Sequence, residues 1–325
     1  MNTKSDLRPK ILMVVPRTLP NFFDDVLEKG FECDIILTPD IEEKIYAKVA
    51  GVHAIIGCPR AMFSERLLKQ AGPGLRWMHN PGAGSEAFFI PSFVNSRIVF
   101  TNGRIIQGPE CADHALALLL SLTRNISRFA RGDDRSSMPR PIELRGKKGL
   151  VFGGGGIGMN VAERLVSFGV EVSIVDNELV NMFSFVKQQY YVDQISEAVG
   201  SADAVICCAP LTKKTHKIFD KHLIAKFKKG SYLINVSRGK LVDTEALLFG
   251  LDNNILAGVG LDVTDPEPLP KKHELMNYKN VIISGHTAGL SEHNRERSRK
   301  LIIKNIERFL AGETLLNSVN KQAEY

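Results

Sequence analysis

The sequence has little cysteine, and what it has is poorly spaced for cross-linking. Its five cysteines, Cys33, Cys58, Cys111, Cys207 and Cys208, form no C-x-x-C pair and no even framework. That argues against a disulfide-stapled scaffold and reads as the reduced thiols of a cytoplasmic protein. The eight histidines do not cluster with cysteines or acids at ligand spacing, so no metal site is expected. No apolar stretch is long enough to span a bilayer. The run 11–15 is too short for the core of a signal peptide and is cut by Pro16. Neither export nor a membrane partner is expected. Charge of one sign is also scarce. The net charge is +6 over 325 residues and is dispersed, which argues against a nucleic-acid partner while still favouring small anions. There is no internal repeat and no low-complexity segment.

What is present is a chain of two-domain length, 44% hydrophobic, organised around residues 149–176. Residues 150–152 are a short apolar run, as in a strand buried on both faces. Gly153, Gly155 and Gly158 then fit G-x-G-x-x-G, with Gly156 and Ile157 between them. Ile157, Val161 and Leu165 recur at helical spacing, and Gly169 supplies a stop. Residues 171–175 read as a second strand ending on Asp176. The first glycine permits a tight turn, the second lets backbone approach a pyrophosphate, and the third lets helix pack on strand. The helix N-terminus offers unpaired N–H groups to the phosphates. Asp176 can accept hydrogen bonds from a ribose diol and would repel a 2′-phosphate, and Asn177, not an arginine, follows it. The pattern predicts a dinucleotide site for NAD rather than NADP.

Around this unit the chain alternates strands and helices. Residues 11–15, 34–37, 54–57 and 76–79 read as strands, with helices over 21–29, 42–49 and 64–70. That alternation predicts a parallel sheet without a glycine-rich phosphate loop. Thr101, Asn102 and Gly103 mark a turn. Residues 110–124 read as a helix whose Leu116, Leu118, Leu119, Leu120 and Leu122 exceed what one packed face requires, as in a helix buried between domains or between subunits. Residues 131–148 read as a loop. Past Asp176, strands are expected over 204–208, 232–236, 259–263 and 281–284. Helices are expected over 192–199, 221–226, 244–249 and 292–310.

In an open α/β sheet, ligands bind beyond the carboxyl ends of the strands. Arg238, Glu267 and His286 each lie shortly after one of these strands. Singly they have ordinary structural roles. Together they suit one task. An arginine grips a carboxylate bidentately, a histidine exchanges a proton near neutral pH, and a carboxylate beside it favours the protonated ring. Arg60, in the loop after 54–57, could hold a second anionic group.

At these residues the chain resembles the D-isomer-specific 2-hydroxyacid dehydrogenases, which include phosphoglycerate, hydroxypyruvate/glyoxylate and D-lactate dehydrogenases. The resemblance covers almost the whole chain. It runs through Asn80-Pro-Gly-Ala-Gly84, Ala112-Asp-His-Ala-Leu-Ala-Leu-Leu and the glycine loop. Further on it includes Pro210-Leu-Thr-x-x-Thr215, Asn235-Val-Ser-Arg-Gly, Gly260-Leu-Asp-Val-Thr-Asp-Pro-Glu-Pro268 and Gly285-His-Thr-Ala-Gly289. It implies Arg238, Glu267 and His286 as the catalytic set and Asp262 as partner of the nicotinamide carboxamide. It places Pro210, Thr215, Val236 and Gly289 beside the cofactor, and gives the substrate carboxylate to the backbone N–H groups of Ala83 and Gly84. It also implies a homodimer built through the coenzyme domain. Two departures stand out. Gly285 replaces a proline common before the histidine, and Ser136 and Ser137 lie near the place of a common tryptophan.

The expected fold is α/β, with two doubly wound parallel-sheet domains. One is a flavodoxin-like substrate domain, 1–102 completed by 292–325. The other is a Rossmann NAD-binding domain, 103–291. The expected activity is that of an NAD-dependent oxidoreductase interconverting a small 2-keto acid and its D-2-hydroxy acid. Two rivals share the fold. One is a formate dehydrogenase relative, against which Glu267 speaks, since that subgroup carries Gln there. The other is a dinucleotide-sensing binding protein like the corepressors, which can retain the triad.

Overall fold

The structure is a computed structural model that describes residues 8–178 and 184–325. Residues 1–7 and 179–183, inside the ranges expected for the substrate and coenzyme domains, lie outside the described residues. The chain divides into two compact units, Met1–Ile106 with Ser291–Tyr325, and Gln107–Leu290.

The first unit opens with β1 (Lys10–Val15), α1 (Asp24–Leu27), β2 (Asp34–Pro39), α2 (Glu42–Lys48) and β3 (Ala54–Ile56). It continues with α3 (Glu65–Ala71), β4 (Trp77–Asn80), α4 (Pro91–Val94) and β5 (Val99–Asn102). The strands pair in parallel in the order β2-β1-β3-β4-β5, the flavodoxin-like doubly wound order. Ile11, Leu12 and Met13 are consecutive, so their side chains alternate between faces, and each is 0% exposed. Both faces of the sheet are therefore covered.

The fifth strand runs through the place where a turn at Thr101 and Asn102 was expected. These polar residues tolerate burial because each has partners. Thr101 Oγ1 accepts from Trp77 Nε1 at 2.9 Å, and Asn102 Nδ2 donates to Ala83 O at 2.7 Å. The open edge of β5 is covered by the C-terminal segment, with Val319 N–H bonded to Phe100 O and Asn102 N–H to Asn317 O. The turn begins only at Gly103, the last residue of the expected one, whose carbonyl accepts from Ile106 N–H at 3.2 Å.

His79 in β4 is 2% exposed, and its Nδ1 lies 2.8 Å from Thr101 Oγ1. Trp77 can only donate to that oxygen, so the Thr101 hydroxyl hydrogen goes to His79 Nδ1 in preference to Met78 O, which lies farther off at 3.5 Å. The Nε2 atom is buried without a partner. Burial pushes the imidazole down to about 3, so the folded state holds a neutral ring. The unfolded chain takes up the proton near 6.5. The stability this represents is present above pH 6.5 and is lost as pH falls from there toward 3. Between pH 7.5 and 5.0 the expected loss is about 2 kcal/mol. Urea unfolding of wild type and His79→Gln at the two pH values checks this. The variant should lose less stability on acidification, and equal losses would refute the assignment.

The second unit begins with α5 (Gly108–Thr123) and α6 (Ile126–Ala130). It then runs β6 (Lys148–Phe152), α7 (Gly156–Ser167), β7 (Glu171–Val175), β8 (Val186–Tyr190), α8 (Ile195–Ser201), β9 (Ala204–Cys207) and α9 (Lys221–Ile224). It ends with β10 (Ser231–Asn235), α10 (Thr244–Asp252), β11 (Leu256–Leu261) and β12 (Val281–Ile283). The strands are all parallel, in the order β12-β11-β10-β9-β6-β7-β8, so the chain reverses direction across the sheet at β6 and β9. Leu150 and Phe152 pack on one face with α8, α9 and α10, while Val151 packs on the other with α5 and α7. The edge strand β8 escaped the sequence reading because its centre, Lys187 and Gln188, is exposed and polar. Helix α6 likewise lies just outside any expected element. The chain returns to the first unit with α11 (Asn294–Ala311), which buries Ile302 and Ile306 beside Trp77.

The leucines of α5 are accounted for within their own unit. Leu116, Leu118, Leu119 and Leu122 are buried in the core shared with β10 and α7, and Leu120 packs partly against it. They supply no surplus apolar face. The exposed apolar side chains nearby belong to α6, with Ile126 54% and Phe129 50% exposed.

Candidate active site

The residues singled out in the second unit leave the sheet along one line. Val175, Phe152, Cys207, Asn235, Leu261 and Ile283 are successive register partners across β7, β6, β9, β10, β11 and β12. Gly153, Asp176, Pro210, Val236, Arg238, Asp262 and His286 all follow within a few residues of that row. The edge is the carboxyl end of a parallel sheet at its switch point, where ligands bind in this architecture.

The glycine loop is built for close approach. A Cβ on Gly158 would sit 1.8 Å from Gly153 O, so only glycine lets α7 start this near the strand. Gly155 faces open space. It precedes a helix of 12 residues that has no side-chain cap and no acid in its first turn. The first N–H groups of α7, from Gly156 and Ile157 onward, therefore fit a pyrophosphate. Asp176 accepts from Gly154 N–H at 2.6 Å and from Glu178 N–H at 3.0 Å. A carboxylate has about four acceptor positions, which leaves room for a ribose diol. Opposite the glycines, Thr215 Oγ1 donates to Pro210 O at 2.7 Å and fixes that loop. Val236 is buried, with its N–H directed at Cys207 O. Gly289 O accepts from Gln107 Nε2 at 3.5 Å. The residue set fits a dinucleotide.

Arg238 leaves β10 through a turn tied by Asn235, whose Oδ1 accepts from Ser237 N–H at 3.0 Å and whose Nδ2 donates to Arg238 O at 2.9 Å. Its own Nη1 donates to Ser237 O at 2.7 Å, which aims the guanidinium. Gly239 follows, where a Cβ would lie 1.9 Å from Thr264 O. The Arg238 turn is thus pressed against the segment that leads to Glu267.

Glu267 Oε1 lies 2.6 Å from His286 Nδ1, while Oε2 accepts weakly from Thr264 N–H at 3.4 Å. The pair is open to solvent, the side chains being 46% and 40% exposed. His286 has φ +55°, a left-handed conformation that costs a non-glycine residue about 1–2 kcal/mol. Its N–H bonds to Asp262 O at 2.9 Å. Asp262 itself is 2% exposed. Its carboxylate accepts from Ser284 Oγ and from the N–H groups of Thr287 and Ala288 at 2.7–2.9 Å. Much of its acceptor capacity therefore goes to the His286 loop.

The nearby thiols are held protonated. Burial pushes Cys111 up to about 12, with Glu110 and Asp262 adding and Arg238 opposing. Burial likewise pushes Cys208 well up, with Cys207 and Cys111 adding. Neither suits a thiolate nucleophile. Among the described residues no group of three or more His, Cys, Asp or Glu could hold a metal ion.

In the first unit, the loop after β4 turns its carbonyls inward. Gly84 O accepts from Asn80 Nδ2 at 2.6 Å and from Arg60 Nη2 at 3.0 Å, and Ala83 O accepts from Asn102 Nδ2 at 2.7 Å. Among the described residues, the N–H groups of Ala83 and Gly84 have no acceptor in the chain. Arg60, expected as a holder of a second anionic group, here donates to Gly84 O and lies 3.7 Å from Glu86.

Residues 116–288 match the family model for the D-isomer specific 2-hydroxyacid dehydrogenase, NAD binding domain. An uncharacterized protein in the proB 3′ region of Corynebacterium melassecola is 32% identical over 252 residues, covering 75% of this chain and 81% of that one. A glyoxylate reductase of Thermofilum pendens is 28% identical over 328 residues, covering 97% and 95%. The structure of a D-lactate dehydrogenase from Aquifex aeolicus, complexed with NAD and lactic acid, superposes with a TM-score of 0.76 at 25% identity. It covers 95% of this chain and 99% of its own. With its glycine loop, Arg238, and the Glu267–His286 pair on one sheet edge, the chain belongs to the D-isomer specific 2-hydroxyacid dehydrogenases.

Proposed function

We propose that this protein reduces a small 2-keto acid to the D-2-hydroxy acid, and runs the reverse oxidation, with NAD as its cofactor. The observation that carries this is the 2.6 Å contact between His286 Nδ1 and Glu267 Oε1, on the same sheet edge as the glycine loop and Arg238. A nicotinamide held there supplies or accepts the hydride. Because Glu267 engages Nδ1, the proton given to the keto oxygen comes from Nε2 of His286. Arg238 binds the substrate carboxylate and the keto oxygen through its planar fork and polarises the carbonyl. The unengaged N–H groups of Ala83 and Gly84 suit a carboxylate as well. Asp262 serves the cofactor's carboxamide only through what acceptor capacity the His286 loop leaves it. The test is NADH oxidation with glyoxylate, hydroxypyruvate, pyruvate, phenylpyruvate and 2-ketoisocaproate. Glyoxylate comes first because the Thermofilum pendens relative bears that activity in its name. Absence of turnover on the whole panel would overturn the reading.

The choice of NAD rests on Asp176. Its carboxylate is anchored by Gly154 N–H, so it cannot easily swing away from a 2′-phosphate. Losing a hydrogen bond to a charged group costs about 1.5–3 kcal/mol, so NADH should outperform NADPH by roughly tenfold or more in kcat/KM. Asp176→Ala should narrow that ratio. Equal kcat/KM for the two cofactors in the wild type would rule the assignment out.

A homodimer belongs to the same proposal. What supports it in the structure is the exposed pair Ile126 and Phe129 on α6, not the leucines of α5. A monomeric mass by light scattering at micromolar concentration would count against it.

A further inference from the structure

Beneath the His286 loop, three polar side chains from distant parts of the second unit meet. Asp262 bonds three consecutive N–H groups: that of His286 through its main-chain carbonyl, and those of Thr287 and Ala288 through its carboxylate. Ser284 Oγ lies 2.7 Å from Asp262 Oδ1. His114, from α5, places Nε2 2.8 Å from Ser284 Oγ and 3.4 Å from Asp262 Oδ1.

Counting protons fixes the direction of this chain. An ionised Asp262 can only accept, so the single Ser284 hydroxyl hydrogen goes to it. The Ser284 oxygen must then accept, and His114 supplies the Nε2–H. The order is His114 to Ser284 to Asp262 to the loop backbone. Ser284, Asp262 and the loop residues all lie between positions 262 and 288, whereas His114 arrives across 170 residues of sequence. It comes from a helix already pressed against β11: a Cβ on Gly260 would lie 3.0 Å from Leu118 Cβ. The helix is thus a fixed base. Gly285, by contrast, has nothing within 4 Å of where its Cβ would be, so packing at that residue does not set the loop. Hydrogen bonds to Asp262 do.

We propose that His114 is a positioning residue of this active site, acting through Ser284 and Asp262 to hold the backbone that carries His286 at φ +55°. This rests on His286 being the proton donor. A displaced donor is costly, because a shift of about 1 Å in a reacting group can lower the rate by roughly 10²-fold.

The experiment compares His114→Leu, His114→Asn and His114→Gln in the full-length protein, each also combined with His286→Ala. Glutamine carries its amide nitrogen to the place of Nε2, whereas asparagine is too short to reach Ser284. The Leu and Asn variants should lose roughly 10- to 100-fold in kcat for keto-acid reduction, with the KM for NADH little changed. His114→Gln should recover most of that loss. In the His286→Ala background, neither Leu nor Asn should reduce the residual rate further, since the group they position is gone. The proposal is overturned if Leu and Asn match wild type, if Gln is no better than Asn, or if the same fold-loss recurs on top of His286→Ala. Should His114→Leu fail to fold, the Asn and Gln pair decides alone. Wild-type activity in His286→Ala by itself would instead remove His286 as donor, a separate failure that shows whatever the His114 variants do.

Discussion

His286→Ala should lower kcat/KM for 2-keto acid reduction by about 10²–10⁴-fold, the range for loss of a positioned acid–base group. The hydride source is untouched by this change, so NADH affinity should stay near wild type. Alanine keeps the Cβ and so the strain of φ +55°, and the side chain it removes is solvent-exposed, so the effect on stability should be small. The Glu267 partner is tested by a subtler readout. A carboxylate 2.6 Å from Nδ1 orients the ring and leaves Nε2 to serve the keto oxygen. Glu267→Gln removes the charge but keeps a hydrogen-bond acceptor. With the ring held less firmly, kcat for reduction should fall, though by less than in His286→Ala. Both side chains are more than a third exposed, so solvent screens their attraction and the effect should be modest. Equal kcat for wild type and Glu267→Gln would mean that Glu267 does not orient His286.

What the sequence disclosed and what it hid follow from the range of each signal. The glycine loop, α7 and Asp176 were legible because their constraint is local: a strand, a turn that admits no Cβ, a helix and an acid within 28 residues, 149–176. Arg238, Glu267 and His286 were legible as candidates because each follows a short apolar run, and parallel strands all end on one side. The contact between Glu267 and His286 was only an expectation until the register of β11 and β12 placed them together. β5 and β8 were missed because their polar residues violate the apolar pattern, Thr101 and Asn102 through side-chain partners and Lys187 and Gln188 through an exposed edge. The α5 leucines misled for a related reason. Periodicity shows that a face is apolar but not whether a β-strand of the same unit or another subunit covers it. The link from His114 to Ser284 had no local signature at all. It is a hydrogen bond between positions 170 residues apart, and only the packing of α5 on β11 makes it.

Arg238→Lys should be nearly as damaging as His286→Ala, although it preserves the charge. The guanidinium is already committed in part, with Nη1 bonded to Ser237 O at 2.7 Å. That bond fixes the plane of the fork, and a planar fork is what meets a carboxylate and an adjacent keto oxygen together. A lysine ammonium is a point charge on a flexible stem. It can bond Ser237 O or meet the substrate, but it cannot hold two oxygens in one plane. Each hydrogen bond to a charged group is worth about 1.5–3 kcal/mol, so loss of one bond costs roughly 10- to 100-fold and loss of both costs more. The fall should appear in the keto-acid KM as well as in kcat, since the carboxylate is gripped before and during reaction, while NADH affinity should be unaffected. This pattern separates Arg238 from His286, whose loss should fall on kcat. Free guanidinium added to Arg238→Ala should restore part of the rate, and added ammonium should not. If Arg238→Lys instead retains kcat/KM within about threefold of wild type, under 1 kcal/mol, the bidentate role is wrong. Arg238 would then contribute only its charge to the site.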